Sequence, residues 1–321
     1  MIAWRFHKAF ALAALAAGLL RAAIHWHFFL KKNAPIRRLA PSARARAAHY
    51  RYGTVWLCCW FRATGLRPAS GWHARMSVLA VLSAQFDDLR ERAPQDPAPT
   101  PDAFGHSADP LGPTTNLLAE LRRSLPQAAK ADFETTLQAL YEAEAEALRA
   151  DQDNLAALQT CAARKGAWAA RLYALVYCGR RIGAEPTASF GAYVQCCDDI
   201  LDAWFDRRDG LATPALFFLE KKQNPHALAG AWQKAWERLS TETARHVKAG
   251  NGQRAMGVAA LMAAVTLLAL RRYAGAGPIQ PWHARRSMVL DMSRPGNVLS
   301  ALRQLSDIPF PNYCTISTFS R

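Results

Sequence analysis

The 321-residue chain is predicted to be all-α, and three observations support this. Alanine and leucine dominate the composition, and both residues favour helices. Alternating runs rich in Val, Ile and Thr, which are typical of strands, are almost absent. Proline and glycine do not divide the chain, and no repeat occurs at solenoid periods. With 51% hydrophobic residues, we expect one large helical domain around a sizeable core.

The helices are predicted from apolar segments of helical length that are separated by turn-forming residues. In order along the chain they occupy 9–30, 42–62, 72–92, 114–124, 127–149, 151–182, 186–206, 213–222, 225–248, 251–273 and 281–305. Between the third and the fourth, residues 93–113 are rich in Pro, Asp and Gly and predict a long loop.

The first apolar segment, 9–30, is interrupted by Arg21, His25 and His27. A charge near the middle of a membrane-spanning helix is costly, so we expect a helix that packs on the protein or lies on a membrane. A spanning or signal segment is the alternative. The domain organisation is therefore an N-terminal hydrophobic or amphipathic helix in residues 1–40 and a helical domain in residues 41–321.

The formal net charge of +15 favours an anionic partner. Nucleic acid is not expected, because no zinc-finger or RNA-binding motif accompanies the charge. We expect a phosphorylated substrate and a cytoplasmic protein in peripheral contact with the inner face of the membrane. The basic residues that follow the first helix are Lys31, Lys32, Arg37, Arg38, Arg44, Arg46 and Arg51.

An acidic cluster lies late in the predicted helix at 186–206. Asp198, Asp202 and Asp206 are spaced i, i+4 and i+8, which places them along one helical stripe, and Gln195 lies one turn earlier. The flanking residues are apolar, so the helix is expected to be largely buried and its carboxylates to need a counter-charge. Mg²⁺ fits, because it prefers oxygen ligands. A solvated acidic face is the alternative.

A second set of carboxylates ends the predicted helix at 72–92. Asp87, Asp88 and Glu91 are three or four residues apart and share one helical face, where like charges repel. A divalent cation would relieve this repulsion. Taken alone the pattern is common at charged helix ends.

The two clusters together resemble the metal motifs of class I isoprenoid synthases. Gln195-x-x-Asp198-Asp199-x-x-Asp202 resembles the second aspartate-rich region of trans-prenyl diphosphate synthases. Read from Asp198 through Asp202 to Asp206, the same stretch is similar to the second metal motif of terpene synthases. The earlier cluster, in the 87–91 segment, resembles the first metal motif of both families.

The resemblance implies a single antiparallel helical bundle with a central cavity, and three Mg²⁺ ions that help to ionise a prenyl diphosphate. It implies that Asp87, Asp198 and Asp202 are catalytic. The diphosphate would be bound by Gln195, Lys165, Arg272 and Tyr273. The metal ligands would be Asp87, Asp88, Glu91, Asp198, Asp199, Asp202 and Asp206.

Two departures from chain-elongating synthases favour a terpene synthase-like lyase. The Arg pair and Gly that follow their first motif are replaced by Arg90-Glu91-Arg92, and the lysine of their Gly-Lys pair is replaced by Leu211. We therefore expect ionisation followed by cyclisation or elimination. A prenyl transferase is the alternative within the same enzyme class. A catalytically inert, membrane-associated helical binding protein is the alternative from another class.

Overall fold

The chain forms helices throughout the part that the structure describes. The structure is a computed structural model, and it describes residues 2–37, 39–92, 115–183, 185–275, 289–290 and 294–308. Within these ranges the backbone is helical or forms turns and bends, with no strand. The all-α prediction is confirmed.

The helices agree closely with the predicted segments. They are α1 (Ile2–Lys32), α2 (Ala34–Arg37), α3 (Pro41–Ala63), α4 (Trp72–Arg92), α5 (Thr115–Ser124), α6 (Gln127–Arg149), α7 (Leu155–Cys178), α8 (Glu185–Leu201), α9 (Ala203–Arg208), α10 (Pro214–Leu216), a π-helical turn (Phe217–Lys221), α11 (Pro225–His246), α12 (Ala249–Gly275) and α13 (Pro295–Asp307). The predicted loop at 93–113 lies outside the described residues.

Three predicted helices differ from the observed ones. The segment 186–206 is interrupted at Asp202, between α8 and α9. The segment 213–222 forms the short α10 and then the π-helical turn. The last segment is not one continuous helix, because residues 289, 290 and 294 are non-helical, and the helix that the structure describes there begins at Pro295, where a fixed φ suits the first turn of α13.

Helix α12 lies at the centre of the protein. It packs against α1, α3, α8, α11 and α13. Helices α3 and α8 also meet directly, where the rings of Trp60 and Phe190 stack with centroids 4.3 Å apart. Both side chains are buried, and aromatic stacking adds to the free energy gained from burial of apolar surface.

Helix α1 is docked on this core by polar contacts as well as apolar ones. The buried ammonium of Lys8 donates hydrogen bonds to the carbonyl oxygens of Leu305 and Ile308. A ring nitrogen of His7 lies 3.0 Å from Oε1 of Gln253 on α12. These contacts tie α1 to both α12 and the end of α13.

Two helices, over Arg5–Lys32 and Ala249–Gly275, are long and apolar enough to cross a membrane by length and composition alone. They differ in burial: 67% of the most apolar window of α12 is buried, as in a core helix, but only 17% of that of α1. Of the residues that interrupt the apolar run of α1, His25 stacks on His73 of α4 with ring centroids 3.8 Å apart. Arg21 and His27 are exposed.

One of the basic residues at 31–51, Arg51, does not lie on the surface. Arg51 is 1% exposed, and its guanidinium donates hydrogen bonds to Ser77, Thr54 and His73. It belongs to the core between α3 and α4, because its spacing in α3 places it on the buried face. Arg38 lies outside the described residues.

Candidate functional site

Helices α7 and α8 cross at two glycines, and this crossing positions Lys165. A Cβ atom added to Gly166 would come within 2.4 Å of the carbonyl oxygen of Gly191 and within 2.7 Å of Cβ of Gln195. Only glycine allows the two backbones to approach so closely. Lys165 precedes Gly166, so the crossing brings its side chain to the carboxylates of α8.

The interruption at Asp202 preserves the path of the acidic stripe. Asp202 has φ −97° and ψ 3°, which lies outside the helical region. Its amide still donates to the carbonyl oxygen of Asp198 at 2.8 Å, and the amide of Asp206 donates to that of Asp202 at 2.9 Å. The helical i to i+4 spacing therefore continues through the break.

Asp199 is the most buried carboxylate of the cluster, at 7% exposure. Nε2 of Gln195 donates a hydrogen bond to its Oδ1 at 2.8 Å, whereas its Oδ2 is buried without a hydrogen-bond partner. The pKa of Asp199 is raised to about 7, chiefly by burial and in smaller part by the charge of Asp198, while the hydrogen bond from Gln195 and the charge of Lys165 oppose the shift. A buried carboxylate oxygen without a partner is costly unless a proton or a cation binds it.

Asp198 and Asp206 lie close enough to Asp199 to share its electrostatic environment. Burial raises the pKa of Asp206 to about 9, and the charges of Asp199, Asp202 and Asp198 add to the shift. Asp198 itself is solvent-exposed, yet enough protein surrounds it that desolvation raises its pKa against the charges of Lys165 and His49. Asp198 is therefore the carboxylate of this pair that water can reach, whereas Asp199 is buried.

The two cations named from the sequence, Lys165 and Arg272, each have contacts within the protein. Nζ of Lys165 forms an ion pair with Glu144 of α6 at 3.1 Å, and its charge lowers the pKa values of Asp198, Asp199 and Asp206. Lys165 therefore lies between one carboxylate of α6 and three of the acidic cluster.

The Arg272-Tyr273 pair at the end of α12 borders the acidic cluster from the other side. The hydroxyl of buried Tyr273 donates to the carbonyl oxygen of Ile200 at 2.9 Å. Burial raises the pKa of Tyr273, and the charges of Asp202 and Asp206 raise it further, which places the ring beside them. Arg272 donates to the carbonyl oxygen of Val289 and to Oδ1 of Asn297, next to α13.

The other set of carboxylates, at 87–91, lies at the end of α4. The backbone of Asp87, Asp88 and Glu91 is helical, and their side chains lie outside the described residues. The preceding turn is anchored, because the ring of Phe86 packs edge-on against that of Tyr141, with centroids 4.9 Å apart. Tyr141 is three residues from Glu144 on α6, so a chain of contacts leads from α4 to the partner of Lys165.

The structure thus brings together the carboxylates of α8, Lys165 and Tyr273, while Arg272 contacts Val289 and Asn297. The join to the carboxylates at 87–91 is described only through the backbone of α4. Among the side chains that the structure describes, no three His, Cys, Asp or Glu residues are arranged to hold a metal ion on their own. The chain has no significant match to a protein-family model, a curated protein or a solved structure. Any assignment of function therefore rests on the residues of the site.

Sequence reasoning missed four residues that shape this site. Glu144 lies among alternating glutamates and carries no distinguishing pattern, and the role of His49 depends on how α3 packs near α8. Gly166 and Gly191 did carry a pattern, because glycine inside a helix costs about 1 kcal/mol and usually marks a close contact.

Proposed function

We propose that the chain is a class I isoprenoid synthase-type enzyme that ionises an allylic prenyl diphosphate with the help of Mg²⁺. The observation that carries the proposal is the buried, unpartnered Oδ2 of Asp199 in a row of four carboxylates, with Lys165 on one side and Tyr273 on the other. Such a row favours a site for cations and for an anion that shares them.

The oxygen donors of this row suit Mg²⁺, which commonly takes one or two carboxylates and completes its shell with phosphate oxygens and water. A closed group of three protein ligands is therefore not needed. Asp198, Asp202 and Asp206 would hold the metal, together with Asp199 through its unpartnered oxygen and with Asp87, Asp88 and Glu91 from α4. Bound Mg²⁺ would neutralise the negative charge that develops on the leaving diphosphate.

The chain's own residues have separate tasks in this proposal. Lys165 would exchange part of its ion pair with Glu144 for an oxygen of the diphosphate, and Arg272 would approach from the end of α12. Gln195 holds Asp199 in place. Once the diphosphate leaves, the allylic cation, cyclised or not, would lose a proton to the released diphosphate or to water and give a hydrocarbon, or it would be captured by water and give an alcohol after loss of a proton.

The decisive experiment is incubation with allylic diphosphates of several chain lengths and Mg²⁺, with released diphosphate and organic-phase products measured together. We expect diphosphate release coupled to a hydrocarbon or alcohol product, and loss of both in Asp198→Asn. The matched control is Asp209→Asn, because Asp209 lies nearby in sequence but is paired with Arg208 and faces solvent. Absence of release with every substrate would favour the inert binding protein.

A further inference from the structure

Large apolar side chains are exposed on two helices and almost nowhere else in the described part of the chain. Eight of the nine most exposed ones belong to α1 or α13, and the ninth is Leu148. On a soluble protein such residues are usually scattered singly, and a contiguous set marks an interaction surface. The eight are Phe6, Phe10, Leu20, Ile24 and Phe28 of α1, and Val298, Leu299 and Leu302 of α13.

The five residues of α1 form one straight stripe. At about 100° per residue they fall within about 80° of each other around the helix, and from Phe6 to Phe28 the stripe is about 33 Å long. Helix α13 is joined to α1 on the side away from this stripe, because buried Lys8, about 160° around the helix from the centre of the stripe, binds the carbonyl oxygens of Leu305 and Ile308. The stripe itself is therefore left uncovered by this contact.

The opposite face of α1 is fixed to the protein, so α1 cannot insert across a bilayer without losing its packing. Lys8 is buried, His25 stacks on His73, and a Cβ atom added to Gly18 would come within 2.6 Å of Val55 on α3. A helix docked on one face and apolar on the other fits the boundary between head groups and acyl chains of a membrane.

The charges near the stripe decide which partner it fits. Arg21 and, at the end of α1, Lys31 and Lys32 are exposed, and the whole chain carries +15. Nζ of Lys31 lies 5.9 Å from the ring centroid of Phe28, so cation and apolar side chain occupy the same edge. A second copy would bring like charges together, whereas anionic lipids would attract them.

We propose that the outward face of α1 binds an anionic membrane surface, with the stripe from Phe6 to Phe28 in the interface and Lys31, Lys32 and Arg37 at the head groups. This proposal does not rest on the proposed function, because it follows from the exposed side chains and the charges of α1 alone.

The test is sedimentation of the full chain with vesicles of phosphatidylcholine alone or mixed with phosphatidylglycerol. We expect the chain to bind the mixed vesicles, and to bind about tenfold more weakly when the vesicles lack the anionic lipid or when the salt concentration is high. The triple variant Phe6→Gln, Leu20→Gln, Ile24→Gln should bind the mixed vesicles about tenfold more weakly or worse, with unchanged helical circular dichroism. The matched control is Leu148→Gln, an equally apolar exposed site outside the stripe, which should bind like the wild type.

Three results would overturn the proposal. Equal vesicle binding by the triple variant and the wild type would exclude the stripe as the membrane-binding surface. A failure to bind vesicles, together with a concentration-dependent dimer that the triple variant abolishes, would assign the stripe to a second copy. Retention in cell membranes through both high-salt and alkaline carbonate washes would show that α1 spans the bilayer.

Discussion

Gly191 lies so close to Gly166 that a Cβ atom on it would meet the Gly166 carbonyl oxygen at 2.1 Å. This oxygen belongs to the backbone of α7 and cannot rotate away as a side chain could. Helices α7 and α8 can therefore lie this close only with glycine at both positions. The acidic cluster of α8 and Lys165 of α7 owe their proximity to this crossing.

The first prediction is that Gly191→Ala destabilises the protein by about 1–3 kcal/mol, because the helices must separate to admit a methyl group. Urea denaturation followed by circular dichroism measures the change. The control is Gly53→Ala in α3, where nothing lies within 4 Å of the new Cβ, and it should be neutral or stabilising by about 0.5–1 kcal/mol. Equal stability of the two variants would contradict the close crossing.

The second prediction is that Mg²⁺ and inorganic diphosphate together raise the melting temperature by a few degrees, and by more than either does alone. Ligands that bind only the native state stabilise it, and here they would also relieve repulsion among the carboxylates around Asp199. In Asp202→Ala the shift should disappear while helical circular dichroism is retained. An unchanged melting curve for the wild type would contradict the proposed metal site.

The third prediction separates lyase from elongase. With isopentenyl diphosphate and an allylic primer, we expect no lengthened prenyl diphosphate, because Leu211 replaces the lysine that elongating synthases carry there. Thin-layer or mass-spectrometric analysis of dephosphorylated products measures this. Detection of prenyl diphosphates longer than the primer would show that the protein is a prenyl transferase.

The fourth prediction concerns pH and His73. Burial, with the charges of His25, Arg51 and Arg21, lowers its pKa from 6.5 to about 4. The unfolded chain therefore binds the proton first, and stability present above pH 6.5 is lost as the pH falls towards 4. After allowance for solvent screening the loss is about 1–2 kcal/mol.

This acid-side loss should be smaller in His73→Gln, as measured by urea denaturation across that pH range. His27→Gln is the control, because His27 is exposed on α1 and should leave the wild-type dependence in place. Identical pH dependence in all three proteins would exclude His73 as the group responsible.

The fifth prediction is that Tyr273→Phe lowers stability by about 0.5–1.5 kcal/mol through loss of the hydrogen bond to Ile200. If Tyr273 also binds the diphosphate, the Tyr273→Phe variant should in addition have a higher KM for the substrate that reacts. Stability and KM measured on the same variant separate the two roles, since a structural hydrogen bond alone changes only the first.

The helices could be predicted from the sequence because their cause is local. Apolar periodicity and turn residues place α6 and α11 within a few residues of the observed bounds. The break at Asp202 could not be predicted in this way, because i to i+4 hydrogen bonds continue on both sides of it and the sequence keeps its helical pattern. Gln195 was predicted to bind diphosphate, which stays a prediction, and in the structure its side chain donates a hydrogen bond to Asp199.

The parts of the site that escaped prediction depend on which helices become neighbours. Nothing local to α6 distinguishes Glu144 from the glutamates two positions before and after it, and only the packing of α6 on α7 selects it as the partner of Lys165. In the same way Arg51 belonged to a basic run in the sequence, and its burial follows from the packing of α3 on α4.

The hydrogen bonds of Lys8 can form only late in the synthesis of the chain. Lys8 precedes its acceptor Leu305 by 297 residues, an interval of about 15–60 s at translation rates of about 5–20 residues per second. Until then the ammonium lacks these acceptors, and the surface of α12 that packs on α1 is complete only once residue 275 has been added. For most of its time on the ribosome a nascent chain would thus leave the α12-facing side of α1 uncovered as well as the stripe, when chaperones or a nearby bilayer compete with the unfinished core.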